Sequence, residues 1–285
     1  MKLITYDSAG ELHCGIVLGS RVLALAAAPL QAVLSSLEQM DLARKLEERA
    51  LADAAFALDH GLPLAALSVR APIVRPGKVL ALGLNYRDHA AESGSPIPSE
   101  PVVFCKVSSS VIGPGAPIRL PEASQKVDYE VELAFVIGRA ARGVPAARAL
   151  EYVAGYTVLN DVSARDYQRE KPGGQWTLAK SFDTFCPMGP WLVTPDEVGD
   201  PQALELSCVV SGQRTQSSST AQMIFSVAEI IEYLSRVLTL EPGDVVATGT
   251  PPGVGFVRKP PRYLHSGDVV ECSVQSIGTL VNPVV

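Results

Sequence analysis

The chain has 285 residues, with 24 Lys and Arg against 30 Asp and Glu and a formal charge of −6. Apolar residues make up 47% and charged residues 19%, the latter below the roughly 25% of an ordinary soluble domain. That balance excludes an intrinsically disordered chain and a general nucleic-acid binder, which carries a basic stripe, while the length suits one large domain, or one of about 200 residues with a small appendage.

The first ten residues, MKLITYDSAG, have no apolar run and carry Asp7, so no signal peptide is expected. KLITYD, LHCGIVLG and RVLALA read as short strands separated by SAGE and GSR turns. Residues 30–58 turn rich in Ala, Leu, Glu and Arg at helical spacing. His60-Gly61-Leu62-Pro63 breaks that pattern, and Pro72 and Pro76 follow. A boundary is therefore expected near residue 70, between a small N-terminal β/α unit (1–70) and a catalytic domain (71–285). Beyond it come short β-branched runs: KVLALG, VVFCKV, YEVELAFVIG, AGYTVLND, ALELSCVVSG, DVVATGT, DVVECSV and TLVNPVV. Two helices interrupt them, at about 145–153 and 226–238, the second opening on a Ser226–Glu229 capping box. The expected class is a β-rich α+β fold.

Apolar stretches reach only about nine residues, as at 22–30, against the roughly twenty of a spanning helix, so no membrane partner is expected. Cys14, Cys105, Cys186, Cys208 and Cys272 are odd in number and contain no C-x-x-C. They predict neither a disulfide framework nor a structural zinc site, and a reducing cytoplasm is the expected compartment.

The segment from Asp128 to Ile137 alternates. Tyr129, Val131, Leu133, Phe135 and Ile137 share one strand face; Asp128, Glu130 and Glu132 project from the other. A half-exposed strand with an acidic wet face explains that pattern. So does a cation site, once Asp161 at the end of AGYTVLND is added. Carboxylates suit Mg²⁺, Mn²⁺ or Ca²⁺ rather than zinc. In NYRDHAAE, His89 and Glu92 are i,i+3 neighbours if helical. They read either as a surface pair or as a dyad in which a carboxylate raises imidazole basicity. Residues 93–101, rich in Gly, Ser and Pro, read as a lid or a plain connection. ATGTPPGVG reads as a tight turn or an anion cradle. Lys106 and Lys180 each interrupt an apolar run, either snorkelling or serving an anionic substrate. Walker A, Rossmann and Gly-x-Ser-x-Gly patterns are absent.

NYRDHAAE, DYEVELAFVIG, GYTVLNDVSARDYQ, WTLAKSFDTFCPMGPW, MIFSVAEIIEYLS and PGDVVATGTPPGVG, in this order, resemble the fumarylacetoacetate hydrolase superfamily from about residue 72 to the C-terminus. The size is most similar to its bacterial 2-hydroxyhepta-2,4-diene-1,7-dioate isomerase and acylpyruvate hydrolase branch. The resemblance implies a mixed β-roll and a homodimer. It implies Mg²⁺ or Mn²⁺ on Glu130, Glu132 and Asp161; some members use a further acid near the position of Asp88, and whether Asp88 joins the site is left open. Catalytic positions fall on His89, Glu92 and Lys180, and substrate-binding positions on Arg165, Gln168 and Thr250. The reaction placed first is hydrolysis of a C–C bond in an acylpyruvate-type 2,4-dioxo acid, through a metal-bound enolate and a water activated by His89 and Glu92. Isomerisation or decarboxylation of 2-oxo or 2-hydroxy-dienoate diacids, oxaloacetate included, stands next, and a non-catalytic binding protein last. The partner expected is a small anionic 2-oxo acid, and a diacid would need a second cation, for which Arg87, Lys106 and Lys171 are the candidates.

Overall fold

Period-two apolar runs predict sheets buried on at least one face, and two large sheets carry the core. A computed structural model describes residues 1–285, with the side chains of Leu37 and Ala54 outside the description. One sheet has 12 strands, ten in a single path and two off it, Ser68–Arg70 antiparallel to Lys2–Ser8 and Val111–Ile112 parallel to Cys186–Val193. From one edge it runs Leu62–Pro63, Arg21–Ala26, Glu11–Leu18, Lys2–Ser8, Cys186–Val193, Val153–Asn160, Val131–Ile137, Val245–Ala247, Val79–Gly83 and Val102–Lys106. Most neighbours are antiparallel; Val245–Ala247 and Val79–Gly83 are parallel. The second sheet is antiparallel, in the order Gln213–Ser219, Glu205–Val210, Val269–Val274, Gly278–Pro283. This is a strand-rich mixed fold, as the short β-branched runs require.

The strand Val131–Ile137 is buried along its whole length. Val131, Leu133, Phe135 and Ile137 face a core shared with Leu206, Cys208, Val270 and Cys272 of the second sheet and with the helix Val227–Val237. Ala134 and Val136 face a second core that holds Met1, Leu3, Ile16, Leu30 and Leu192. The N-terminal residues thus extend the same sheet: Lys2 pairs with Val193 and Leu3 with Leu192. The sequence between 30 and 58 divides into helices Leu30–Leu34, Leu37–Ala52 and Ala54–His60, because Ser36 and Asp53 act as N-caps, accepting from Gln39 and from Ala55 and Phe56. The capping box before Val227 is present, Glu229 Oε2 accepting from the Ser226 N–H at 2.8 Å. The 145–153 helix is one α-turn, Ala146–Ala149, continued as a 3₁₀ turn over Leu150–Tyr152. All five cysteines are free, and no helix among the described residues is long and apolar enough to cross a membrane.

Candidate metal and active site

Strand register builds the site. Val131 pairs with Asn160 and Glu132 with Leu159, and the Asp161 N–H donates to the Glu130 carbonyl at 2.9 Å. Glu130 and Glu132, two residues apart and so on one face, meet the residue just past the end of the neighbouring strand. One ligand oxygen from each of Glu130, Glu132 and Asp161 lies within 4.8 Å of the others. All three are buried, Glu132 being 1% exposed and Asp161 0%. A wet acidic strand face is therefore ruled out: the even-numbered face is sealed by Ala134 and Val136 further along.

Cations are packed around these acids. Lys180 Nζ lies 2.6 Å from both Glu130 Oε2 and Asp161 Oδ2. Lys106 Nζ lies 2.6 Å from Asp161 Oδ1. Arg165 bridges Glu130 Oε1 at 2.6 Å and Asp128 Oδ2 at 2.8 Å. Among the described residues Glu132 has a single donor, the Gly249 N–H at 2.7 Å. Burial first, then the Asp161 and Glu130 charges, push its carboxyl well above the usual carboxylate range. At Glu130 burial acts the same way, but Lys180 and Arg165 outweigh it and hold the carboxyl low. Burial lowers the Lys180 ammonium, yet Asp161 and Glu130 reverse that and keep it protonated. Asp128, Glu130, Glu132 and Asp161 thus face Lys106, Lys180 and Arg165, four carboxylates against three cations. An all-oxygen donor set, buried, converging and one positive charge short fits a hard divalent ion.

A cavity of about 360 Å³ opens onto the cluster, lined by His89, Glu130, Arg165, Gln168, Arg169, Trp176, Lys180, Thr250 and Phe256 among others. Helix Arg87–Ser93 brings His89 to this wall, with His89 Nδ1 3.4 Å from Glu92 Oε2. Both Glu92 oxygens also accept the Gly253 N–H at 3.1 Å. Arg165 and Gln168 sit on helix Arg165–Arg169, joined by an Arg165 Nη1–Gln168 Oε1 bond of 2.8 Å. Lys180 follows helix Trp176–Ala179. Thr250 donates to the Val131 carbonyl at 2.9 Å and accepts from Gln216 Nε2 at 2.9 Å. Ser93 and Ser95, from the stretch read as lid or connection, also line the cavity.

Several expected positions are elsewhere. Lys106 does not line the cavity: it donates to Asp161 and to the Val162 and Lys180 carbonyls, so its three hydrogens are spent inside. Asp88 is outside the acidic triad; it accepts its neighbour His89's N–H and the Ser218 hydroxyl. Arg87 donates to the Met223 carbonyl, and Lys171 lies over the Tyr167 ring at 5.0 Å. The glycine loop cradles the protein's own carboxylates, since the Gly249 and Gly253 N–H groups go to Glu132 and Glu92. Gly253 has φ +99°, and a Cβ there would sit 2.1 Å from the Thr215 carbonyl oxygen.

Sequence reading named Asp128 without giving it a role and missed two further features. Asp128 is a buried hub: beside Arg165, it accepts from the Gly255 and Phe256 N–H groups at 2.7 and 3.1 Å. Its signal was the i, i+2, i+4 run of acids. Gln216 ties the Val131 N–H to the Thr250 loop, from a strand of polar residues that carries no apolar pattern. Arg169, Trp176 and Phe256 complete the cavity wall, and nothing in their local sequence marks them.

Known proteins resemble the chain over most of its length. Residues 78–285 match the family model described as fumarylacetoacetate hydrolase, C-terminal. A mitochondrial oxaloacetate tautomerase of Xenopus laevis is 50% identical over 244 residues, covering 85% of this chain and 76% of that protein. Among solved structures, a 5-carboxymethyl-2-hydroxymuconate delta-isomerase from Mycobacterium smegmatis is 39% identical with a TM-score of 0.79, covering 100% of this chain and 99% of that one. A fumarylacetoacetate hydrolase from Exiguobacterium antarcticum is 36% identical with a TM-score of 0.84, again over 100% and 99%. Matched over most of its length by the family model, and carrying the six expected blocks in order around one buried carboxylate cluster, the chain belongs to the fumarylacetoacetate hydrolase family.

Proposed function

We propose that the chain is an isomerase of 2-oxo or 2-hydroxy-dienoate diacids, oxaloacetate included, working with Mg²⁺ or Mn²⁺ on Glu130, Glu132 and Asp161. The carrying observation is the convergence of three buried carboxylate oxygens beside a cavity that also holds His89 and Lys180. Such an ion supplies Lewis-acid polarisation of a 2-oxo acid's keto oxygen. Arg165 and Gln168 orient the substrate's 1-carboxylate. His89 Nε2 takes the proton from the carbon next to the ketone; that C–H pair becomes the C=C bond, and the carbonyl π pair moves to oxygen, which is then protonated. Glu92, fixed by Gly253, holds the imidazole orientation through Nδ1 and offsets its charge. Lys180 places a permanent positive charge at the wall where oxyanion character develops. The resemblance at 50% identity to a tautomerase, and at 39% to a dienoate isomerase, supports placing isomerisation ahead of hydrolysis.

Acylpyruvate hydrolysis is the second reading. The His89–Glu92 pair favours it, since the same imidazole serves a water nucleophile. A homodimer belongs to this proposal, supported by Val102, Val103 and Val107, more than a third exposed on or beside an edge strand. So does a division near residue 70 into a supporting unit and a catalytic domain. A cytoplasmic location remains our expectation, alongside mitochondrial relatives.

The test is a panel of oxaloacetate, a hydroxymuconate-type diacid, acetylpyruvate and fumarylpyruvate, with and without Mg²⁺. Ion-dependent enol–keto relaxation of oxaloacetate, outpacing any acylpyruvate cleavage, is expected. Efficient acylpyruvate cleavage with no diacid isomerisation would reverse the order.

A further inference from the structure

Among the described residues, every cation at the deep end of the cavity is already paired. Lys106 and Lys180 are each paired with Asp161, and Arg165 with Asp128 and Glu130. With a dication bound, the cluster of four carboxylates and three cations carries one positive charge, which a 2-oxo acid's first carboxylate neutralises. A second carboxylate must find its partner elsewhere.

Arg169 stands in that place. It lies four residues after Arg165 on helix Arg165–Arg169, hence on the same helical face. It lines the cavity but is exposed, at its mouth. Among the described residues it makes no ion pair and no side-chain hydrogen bond. Its guanidinium lies 4.7 Å from the Phe256 ring centroid, and Arg165 lies 4.5 Å from the same centroid. Phe256 is itself held through its N–H by Asp128. The aromatic ring thus packs against a planar fork at the cavity wall without using any of its donors.

We propose that Arg169 is the specificity-determining residue for the distal carboxylate of a dicarboxylic 2-oxo acid, which it binds while Arg165 serves the first. This rests on the 2-oxo acid reading above and names a residue in place of Arg87, Lys106 and Lys171.

The test is equilibrium binding, independent of turnover. Calorimetric titrations of the Mn²⁺-loaded full chain use two matched pairs, 2-oxoglutarate with 2-oxopentanoate and 2-oxoadipate with 2-oxohexanoate. Members of a pair differ only in the terminal carboxylate. Wild type prefers the diacid by about tenfold or more in at least one pair, as a charge-assisted contact gives. Arg169→Gln brings that ratio to about one, and Arg169→Lys recovers part of it, lacking the fork. Circular dichroism checks that the variants fold. An unchanged ratio in Arg169→Gln, or no wild-type preference in either pair, overturns the assignment while binding of both acids keeps the 2-oxo acid reading. Failure of wild type to bind any of the four overturns the reading itself, and the Arg169 role with it.

Discussion

Glu132→Gln separates a cation site from a merely buried acid. Glu132 is 1% exposed and accepts one protein hydrogen bond. Two carboxylates lie with oxygens inside 4.8 Å; at an effective dielectric near 20, each like-charge pair at that distance costs roughly 3 kcal/mol. Lys180 offsets part of this, and the raised carboxyl pKa lets a proton relieve more. The expected net gain from the neutral amide, in chelator, is therefore about 1–2 kcal/mol, or several degrees in Tm at most for a chain this size. The pH dependence has a definite sign. A folded-state pKa raised above the unfolded value means that the native metal-free protein holds the extra proton. Wild-type stability then falls as pH rises from the unfolded value toward the folded one. The variant lacks that slope, so its advantage grows with pH. With Mn²⁺ present the order inverts: wild type gains stability by mass action, about 2.7 kcal/mol at a hundredfold excess over Kd, and the variant loses most of that gain. Thermal melts in EDTA and in Mn²⁺, across pH 5–8, measure all three effects. A variant that is no more stable in EDTA, or that keeps the full Mn²⁺ shift, refutes the charge-excess argument.

Other predictions follow the same contacts. His89→Ala keeps the Mn²⁺-induced thermal shift but slows proton transfer about 100-fold or more; a smaller loss in oxaloacetate relaxation removes His89 from the chemistry. Asp128→Asn takes one anion from the buried Arg165 and costs about 3 kcal/mol, the low end for a broken buried pair because Glu130 remains. KM for 2-oxo acids should rise by more than kcat falls, and an unaltered KM would contradict the positioning role of Asp128. Far from the site, burial opposes ionisation of Asp268, but Arg262 and Ser211 hold its carboxyl below the usual range. A depressed folded pKa contributes stability above the unfolded value, about 3.9, and loses it as pH falls further. The Tm gap between wild type and Arg262→Met should narrow as pH falls below about 4; a gap that stays as wide at pH 2 as at pH 6 contradicts this.

Strands with one apolar period were legible, which is why Val131–Ile137 and Val269–Val274 fall within their expected runs and Val153–Asn160 begins one residue before its own. Cys186–Val193 was not, because Pro187 and Pro190 interrupt it, yet it joins the N-terminal strands to the catalytic half of the sheet. Gln213–Ser219 was hidden for the opposite reason: seven mostly polar residues carry no burial signal. The triad was visible because strand alternation is local and Asp161 ends a strand. The fate of each lysine was not. Lys106 and Lys180 look alike in sequence, each a cation in an apolar run, and only packing decides that Lys180 reaches the cavity wall while Lys106 is consumed behind Asp161.

That difference bears on where specificity lies. Glu130, Glu132, Asp161, Lys106 and Lys180 form a closed set in which nearly every charge already has a protein partner. Altering Glu130, Asp161, Lys106 or Lys180 takes a partner from a buried charge, at a cost of several kcal/mol. Such a set resists change and is suited to chemistry common to many 2-oxo acids. The mouth is built differently. Arg169 is exposed and unpaired among the described residues, and Ser95 borders the same opening. Substitution there costs little stability, since exposed side chains away from packed features usually move it by less than about 0.5 kcal/mol. Divergence between isomerase and hydrolase, or between diacid and monoacid substrates, therefore belongs at this rim, where binding can change without disturbing the buried charge balance.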